Sequence, residues 1–246
     1  MKSSGSRWLA LLGLPWLVSA AAPDAAAQDP NALWRIVHEQ CAPREREFGA
    51  PLPCAEVRRD YAILKDLRGA SQFLLIATAR VSGIDDPAIL MPSAPNYWQS
   101  AWEATRFVQA LLDRHLPRDA LSLAINSAQA RSQDQFHIHI DCVSTEVRNL
   151  LRTRGRDIGR TWAPFPVSLA GHAYRAMRLD TLLQPGATPF EALARLPDAR
   201  SDMAAESLVV VGATFDDGST GFYLLETRVA GGEELQDHGC AVARLF

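Results

Sequence analysis

Residues 135–142 read QFHIHIDC, and the alternation in this stretch constrains the fold more than any other feature of the chain. Side chains alternate across a β-strand, so Phe136, Ile138, Ile140 and Cys142 share one face. Gln135, His137, His139 and Asp141 share the other. The apolar face needs a core beneath it, and the polar face then lines a surface or a cleft. Same-face neighbours lie about 6.5–7 Å apart, so imidazoles at 137 and 139 can both reach one phosphate group. The plainer explanation is an outer strand face that happens to carry two histidines. A third is metal binding through His137, His139 and Asp141. That set has no further ligand nearby in sequence, because His115, His172 and His238 are all distant.

The rest of the chain supplies partners for such a strand. Asn31–Cys41 reads as a short amphipathic helix, followed by a Pro-rich, charged loop, APREREFGAPLP. YAILKDLRGASQFLLIATARV predicts two strands joined at Arg68-Gly69. Trp98, Trp102, Thr105, Val108 and Leu112 predict one long amphipathic helix over 98–116, stopped by Pro117. LSLAINS reads as a buried strand, 144–154 as a helix capped by Ser144, and 161–177 as a Pro- and aromatic-rich connection. A short helix over 189–196 precedes a second hairpin around Asp216-Asp217-Gly218. Strands and helices that are segregated rather than alternating argue for α+β with an antiparallel sheet. No linker divides 28–246, so one domain is expected there.

Composition narrows the function classes. Apolar residues at 48% exclude disorder as the main state, and 25 Lys+Arg against 28 Asp+Glu argue against a nucleic-acid binder. The first residues carry Lys2 and Arg7, an apolar run Trp8–Val18, then Ala20-Ala21-Ala22 and Ala25-Ala26-Ala27. This is the pattern of a secretory signal over 1–27. The run is shorter than the roughly 20 residues of a comfortable span, so a cleaved signal leads an N-terminal membrane anchor. No second long apolar run follows, which excludes a polytopic membrane protein.

Export gives meaning to Cys41, Cys54, Cys142 and Cys240, an even set without a CxxC. Three pairings are open. Cys41 and Cys54 flank the Pro-rich loop and are expected to close it, which leaves Cys142 for Cys240. Four buried free thiols are the alternative.

LSLAINSAQARSQDQFHIHID resembles the active-site segment of the histidine-triad superfamily of nucleotide hydrolases and transferases. Asn126 matches its strand-ending Asn, Ser132 its loop Ser, and His137 and His139 its second and third histidines. Gln135 departs from the first histidine position, where the superfamily residue orients rather than attacks. Over nearly the whole exported part, IVHEQCAP, PCAEV, LKDLRG, QFLLIATARVSGI, LAINS, QFHIHIDC, GHAY and QDHGC resemble the CDP-diacylglycerol pyrophosphatase family. The resemblance implies a histidine-triad-like antiparallel sheet with flanking helices, and hydrolysis of CDP-diacylglycerol to CMP and phosphatidate. It also implies a place at the bacterial inner membrane.

Neutral imidazole suits this chemistry because it attacks phosphorus without first losing a proton, giving a labile phosphoramidate. His137 is expected to attack the cytidine-bearing phosphorus, and His139 to bond a phosphate oxygen or protonate the leaving oxygen. Gln135, Asn126 and Ser132 are expected to donate to the developing charge. Asp66 falls where the superfamily keeps a ribose-binding acid, although a hairpin Asp is often only a turn former. No cofactor is expected. The alternatives are a nucleotidyl transferase of the same superfamily, a metal-dependent phosphodiesterase and a non-catalytic nucleotide-binding module. The expected partner is CDP-diacylglycerol in the inner membrane, reached from the periplasmic side. Trp162, Phe165 and Leu169 are candidates for contact with the bilayer. Oligomeric state and the role of His238 are left open.

Overall fold

β5 (His137–Cys142) has partners on both sides, which makes it a central strand. It pairs antiparallel with β3 (Phe73–Ala77), Leu74 opposite His139 and Ile76 opposite His137. On its other side it pairs with β4 (Leu121–Ile125), Ala124 opposite His139. β1 (Cys54–Val57) and β2 (Tyr61–Lys65) extend the sheet beyond β3. β8 (Ser207–Thr214), β9 (Thr220–Thr227), β7 (Arg175–Leu179) and β6 (Ala163–Pro164) extend it beyond β4. The order is β1-β2-β3-β5-β4-β8-β9-β7-β6, antiparallel throughout. This computed structural model describes residues 29–184 and 186–246. The export segment expected over 1–27 lies outside the described residues. What is described is one α+β domain.

Alternation decides what covers each face. On one face Phe136, Ile138, Ile140, Leu123, Leu208, Val210 and Leu224 are fully buried. They pack under α3 (Tyr97–Glu103), α4 (Thr105–Leu112) and α6 (Pro189–Leu193) through Trp98, Val108 and Phe190. Each such side chain contributes about 1.5–3 kcal/mol by leaving water.

The opposite face carries two separate apolar layers. Over β2 and β3, Leu33 and Val37 meet Ala62, Leu64, Leu74 and Ile76. They come from α1 (Ala32–Arg35) and the π turn Ile36–Cys41 that follows it. Over β8 and β9, Val147 and Leu151 of α5 (Thr145–Arg154), with Leu169, cover Val209, Val211 and Leu225. Between these layers β5 presents His137, His139 and Asp141. The seam is where a cleft can open.

Several expectations need correction. The stretch read as a Pro-rich loop begins with α2 (Ala42–Phe48), because Pro43 sits in the first turn, where its missing N–H costs nothing. Gly49, with φ at 60°, ends that helix. The single helix over 98–116 is two helices. Thr105 Oγ1 donates to the Trp102 carbonyl at 2.7 Å, and the chain bends there. The second helix stops at left-handed Asp113, short of Pro117. The connection over 161–177 contains β6 and the start of β7. Phe165 and Leu169 are buried under α5, and Trp162 Nε1 donates to the Ala192 carbonyl, so these side chains do not form a docking surface.

Disulfides join Cys41 to Cys54 and Cys142 to Cys240, and no free thiol occurs among the described residues. The first ties the end of the π turn to β1 at the edge of the sheet. The second brings the C-terminal segment back across the end of β5. Among the described residues no helix is long and apolar enough to cross a membrane.

Candidate active site

At the seam lies a cleft of about 310 Å³, at the small end for a ligand site. His137, His139, Asn126, Ser132, Asp66 and Glu233 line it, with an apolar wall of Leu33, Ile36, Pro53, Leu64 and Leu74.

The two histidines present different nitrogens. His137 Nδ1–H donates to the Gln135 carbonyl at 2.7 Å, which leaves Nε2 with its lone pair free. Burial holds His137 below the ordinary imidazole value, against the bond to Gln135 that raises it. His139 is held well below that value, first by burial, then by repulsion between its protonated form and the cationic forms of His137, His238 and Arg68. Both rings are therefore neutral at neutral pH. The Gln72 carboxamide donates to His139 Nδ1, so the hydrogen of His139 sits on Nε2. That Nε2 is buried and has no hydrogen-bond partner among the described residues. One ring offers a lone pair and the other an N–H.

Asn126 is 4% exposed and bonds Glu233 twice. Its Nδ2 donates to Glu233 Oε1 at 3.0 Å, and the Glu233 amide donates to its Oδ1 at 3.2 Å. Ser132 is exposed at the lip. Asp66 borders the cleft while its Oδ1 accepts from the Arg68 amide, a turn-forming bond. Gln135 stands apart from this group. It is fully buried, and its Nε2 donates to the carbonyls of Ala77 and Ala79. With both amide hydrogens engaged it has none for a substrate oxygen, and it serves the site through its backbone carbonyl. Asp141, considered above as a metal ligand, is also committed. Its Oδ1 accepts from Ser71 Oγ at 2.6 Å and the Cys142 amide at 2.8 Å, and its Oδ2 from His238.

Sequence reasoning did not find Glu233 or assign His238. His238 Nδ1–H donates to Asp141 Oδ2 at 2.8 Å, and that bond raises its pKa despite half-burial. The Cys142–Cys240 bond and the pairing of Val143 with Gln236 carry it there. Gly69 makes room for it, since a Cβ at that turn, where φ is 67°, would lie 2.4 Å from the His238 Cβ. Glu233 Oε2 lies 3.3 Å from His139 Nδ1 and 3.9 Å from His238 Nε2. The only advance signal was Cys240 two residues after His238. Nothing in GGEELQ marked Glu233.

Residues 28–244 match the model of a protein family described as CDP-diacylglycerol pyrophosphatase.

Proposed function

The chain belongs to the CDP-diacylglycerol pyrophosphatase family and is a hydrolase acting on a pyrophosphate-type substrate, and we propose that it works through a nucleotidyl-histidine on His137. The neutral Nε2 lone pair attacks the phosphorus bearing cytidine. The bridging P–O bond breaks and its electron pair leaves with phosphatidate. Water then attacks the same phosphorus and releases CMP. His139 donates its Nε2–H to a phosphate oxygen, where charge grows in the transition state, a contribution on the order of 10²–10³-fold. Ser132 and Asp66 are the candidates for further substrate contact at the lip, and Asn126 holds the wall.

One observation carries this reading: a free Nε2 lone pair and an unpartnered Nε2–H stand side by side on one strand face in one cleft. The ring centroids are 4.9 Å apart. A strand ending in Asn126, a loop with Ser132, and then His-x-His favour a histidine-triad-like assignment. The metal alternative is not favoured by its donors, since both Asp141 oxygens already accept hydrogen bonds.

The substrate's two acyl chains have no room in a cleft of this size and stay in the bilayer. Leu67, fully exposed at the lip, and Leu52, beside the lining Pro53, are placed to meet it. The reading is therefore of an exported protein at the periplasmic face of the inner membrane, with residues 1–27 as signal or anchor. Two disulfides suit that compartment.

The test is incubation with CDP-diacylglycerol in heavy-oxygen water, with His137→Ala as control. Expected are CMP and phosphatidate, the solvent oxygen in CMP, no effect of EDTA, and no turnover by the variant. Solvent oxygen in phosphatidate, or full activity of His137→Ala, would contradict it.

A further inference from the structure

A carboxylate in the wall of a cleft that receives a pyrophosphate needs a reason, because like charges repel at that range. Asn126 fixes Glu233 through Oε1 and through the Glu233 amide. This leaves Oε2 between the His139 and His238 rings, 3.3 Å from one and 3.9 Å from the other. The side chain is 27% exposed, open enough for water to reach it.

The two halves of the reaction ask different things of a proton. Phosphatidate leaves as a phosphate monoester, whose second pKa is about 6, so its departure needs no acid. Water, with a pKa of about 15.7, must lose a proton as it attacks. A base is thus required in the second half alone. His139 binds protons weakly where it is buried, and His238, tied through Nδ1–H to Asp141, does not line the cleft. The remaining group is the carboxylate.

We propose that Glu233 is the general base of the second half-reaction, taking a proton from the water that hydrolyses the nucleotidyl-histidine. The proposal rests on the nucleotidyl-histidine reading above. The water oxygen bonds to phosphorus as the P–Nε2 bond breaks and returns its pair to Nε2. One water proton passes to Glu233 Oε2, where the His139 Nδ1 lone pair faces it. The other stays on the new oxygen of CMP. Glu233 then loses its proton to solvent.

The experiment is rapid-quench turnover of the intact protein and of Glu233→Gln, following phosphatidate, CMP and protein mass. Glutamine keeps an oxygen for Asn126 but has no basic site. The expected result is a normal burst of one phosphatidate per enzyme, then a stall with one cytidylyl group on the protein. Steady-state turnover falls about 10²–10⁴-fold. Formate added to Glu233→Ala is expected to restore CMP release. Wild-type CMP release by Glu233→Gln would overturn the base while leaving the intermediate standing. A slowed burst with no adduct would also overturn it. In that case the stereochemical course of the wild-type reaction shows whether the intermediate falls as well.

Discussion

Two layers lie on the same face of one sheet, and only one of them ends over histidines. Over β8 and β9 the strand residues Val209, Val211 and Leu225 meet Val147, Leu151 and Leu169, all of them buried. Over β2 and β3 the layer is just as apolar, with Leu33 and Val37 on Leu74 and Ile76, but it ends at β5. There the face-matched residues are His137 and His139 rather than Val or Leu. The site thus arises where an apolar layer stops and the strand beneath it changes from aliphatic to imidazole. Neither condition suffices alone, since a histidine under a complete layer could not meet substrate.

The comparison can be broken by exchanging the two effects. His137→Ala is expected to lower turnover by on the order of 10⁴-fold or more, with an unfolding curve close to the parent's. Leu151→Ala, in the layer over β8 and β9, is expected to do the reverse. It should lose about 2–5 kcal/mol of stability while the folded fraction keeps its kcat. Urea unfolding and steady-state kinetics on both variants decide it. A Leu151→Ala enzyme that stays stable but turns over slowly would mean the layers are not separate.

The disulfides sharpen the same contrast. Cys142 and Cys240 are 98 residues apart, Cys41 and Cys54 only 13. On the loop-entropy model, replacing the first pair by Ser costs about 4–5 kcal/mol and the second about 3 kcal/mol. Replacing the first pair also releases His238 from Asp141. Thermal melts should rank the two variants in that order.

β5 was legible because its period of two survives intact over Phe136–Cys142, and α5 because Ser144 caps it, accepting from the Val147 amide. The hairpin of β8 and β9 was legible from Asp216-Asp217-Gly218 between two aliphatic runs. The α3–α4 break was hidden because Thr105 was counted as an apolar-face residue, and its hydroxyl bond is invisible to periodicity. Glu233 and His238 were hidden for another reason. They reach the site through chain contacts about 100 residues away, which no local pattern records. Gln135 was misjudged because type alone does not tell whether an amide's hydrogens are already engaged.

A smaller effect separates the histidines by sign. His137 and His139 are held low, so below about pH 6.5 the unfolded chain binds more protons and stability falls as the pH is lowered. His238 is held high, so its contribution is complete below about 6.5 and is lost as pH rises through its raised value. Urea titrations from acid to alkaline pH should show His238→Gln weaker than the parent on the acid side, with the gap closing above. His139→Gln should gain on the parent toward acid. Gaps of the same sign would contradict the assignment.

The most direct test of the central claim is the stereochemical course at the cytidine-bearing phosphorus. A CDP-diacylglycerol made chiral there by sulfur substitution is hydrolysed in heavy-oxygen water, and the configuration of the CMP analogue is read. Attack by His137 and then by water is two in-line displacements, and the account predicts net retention. Net inversion would mean that water attacks directly, and the nucleotidyl-histidine would have to be abandoned.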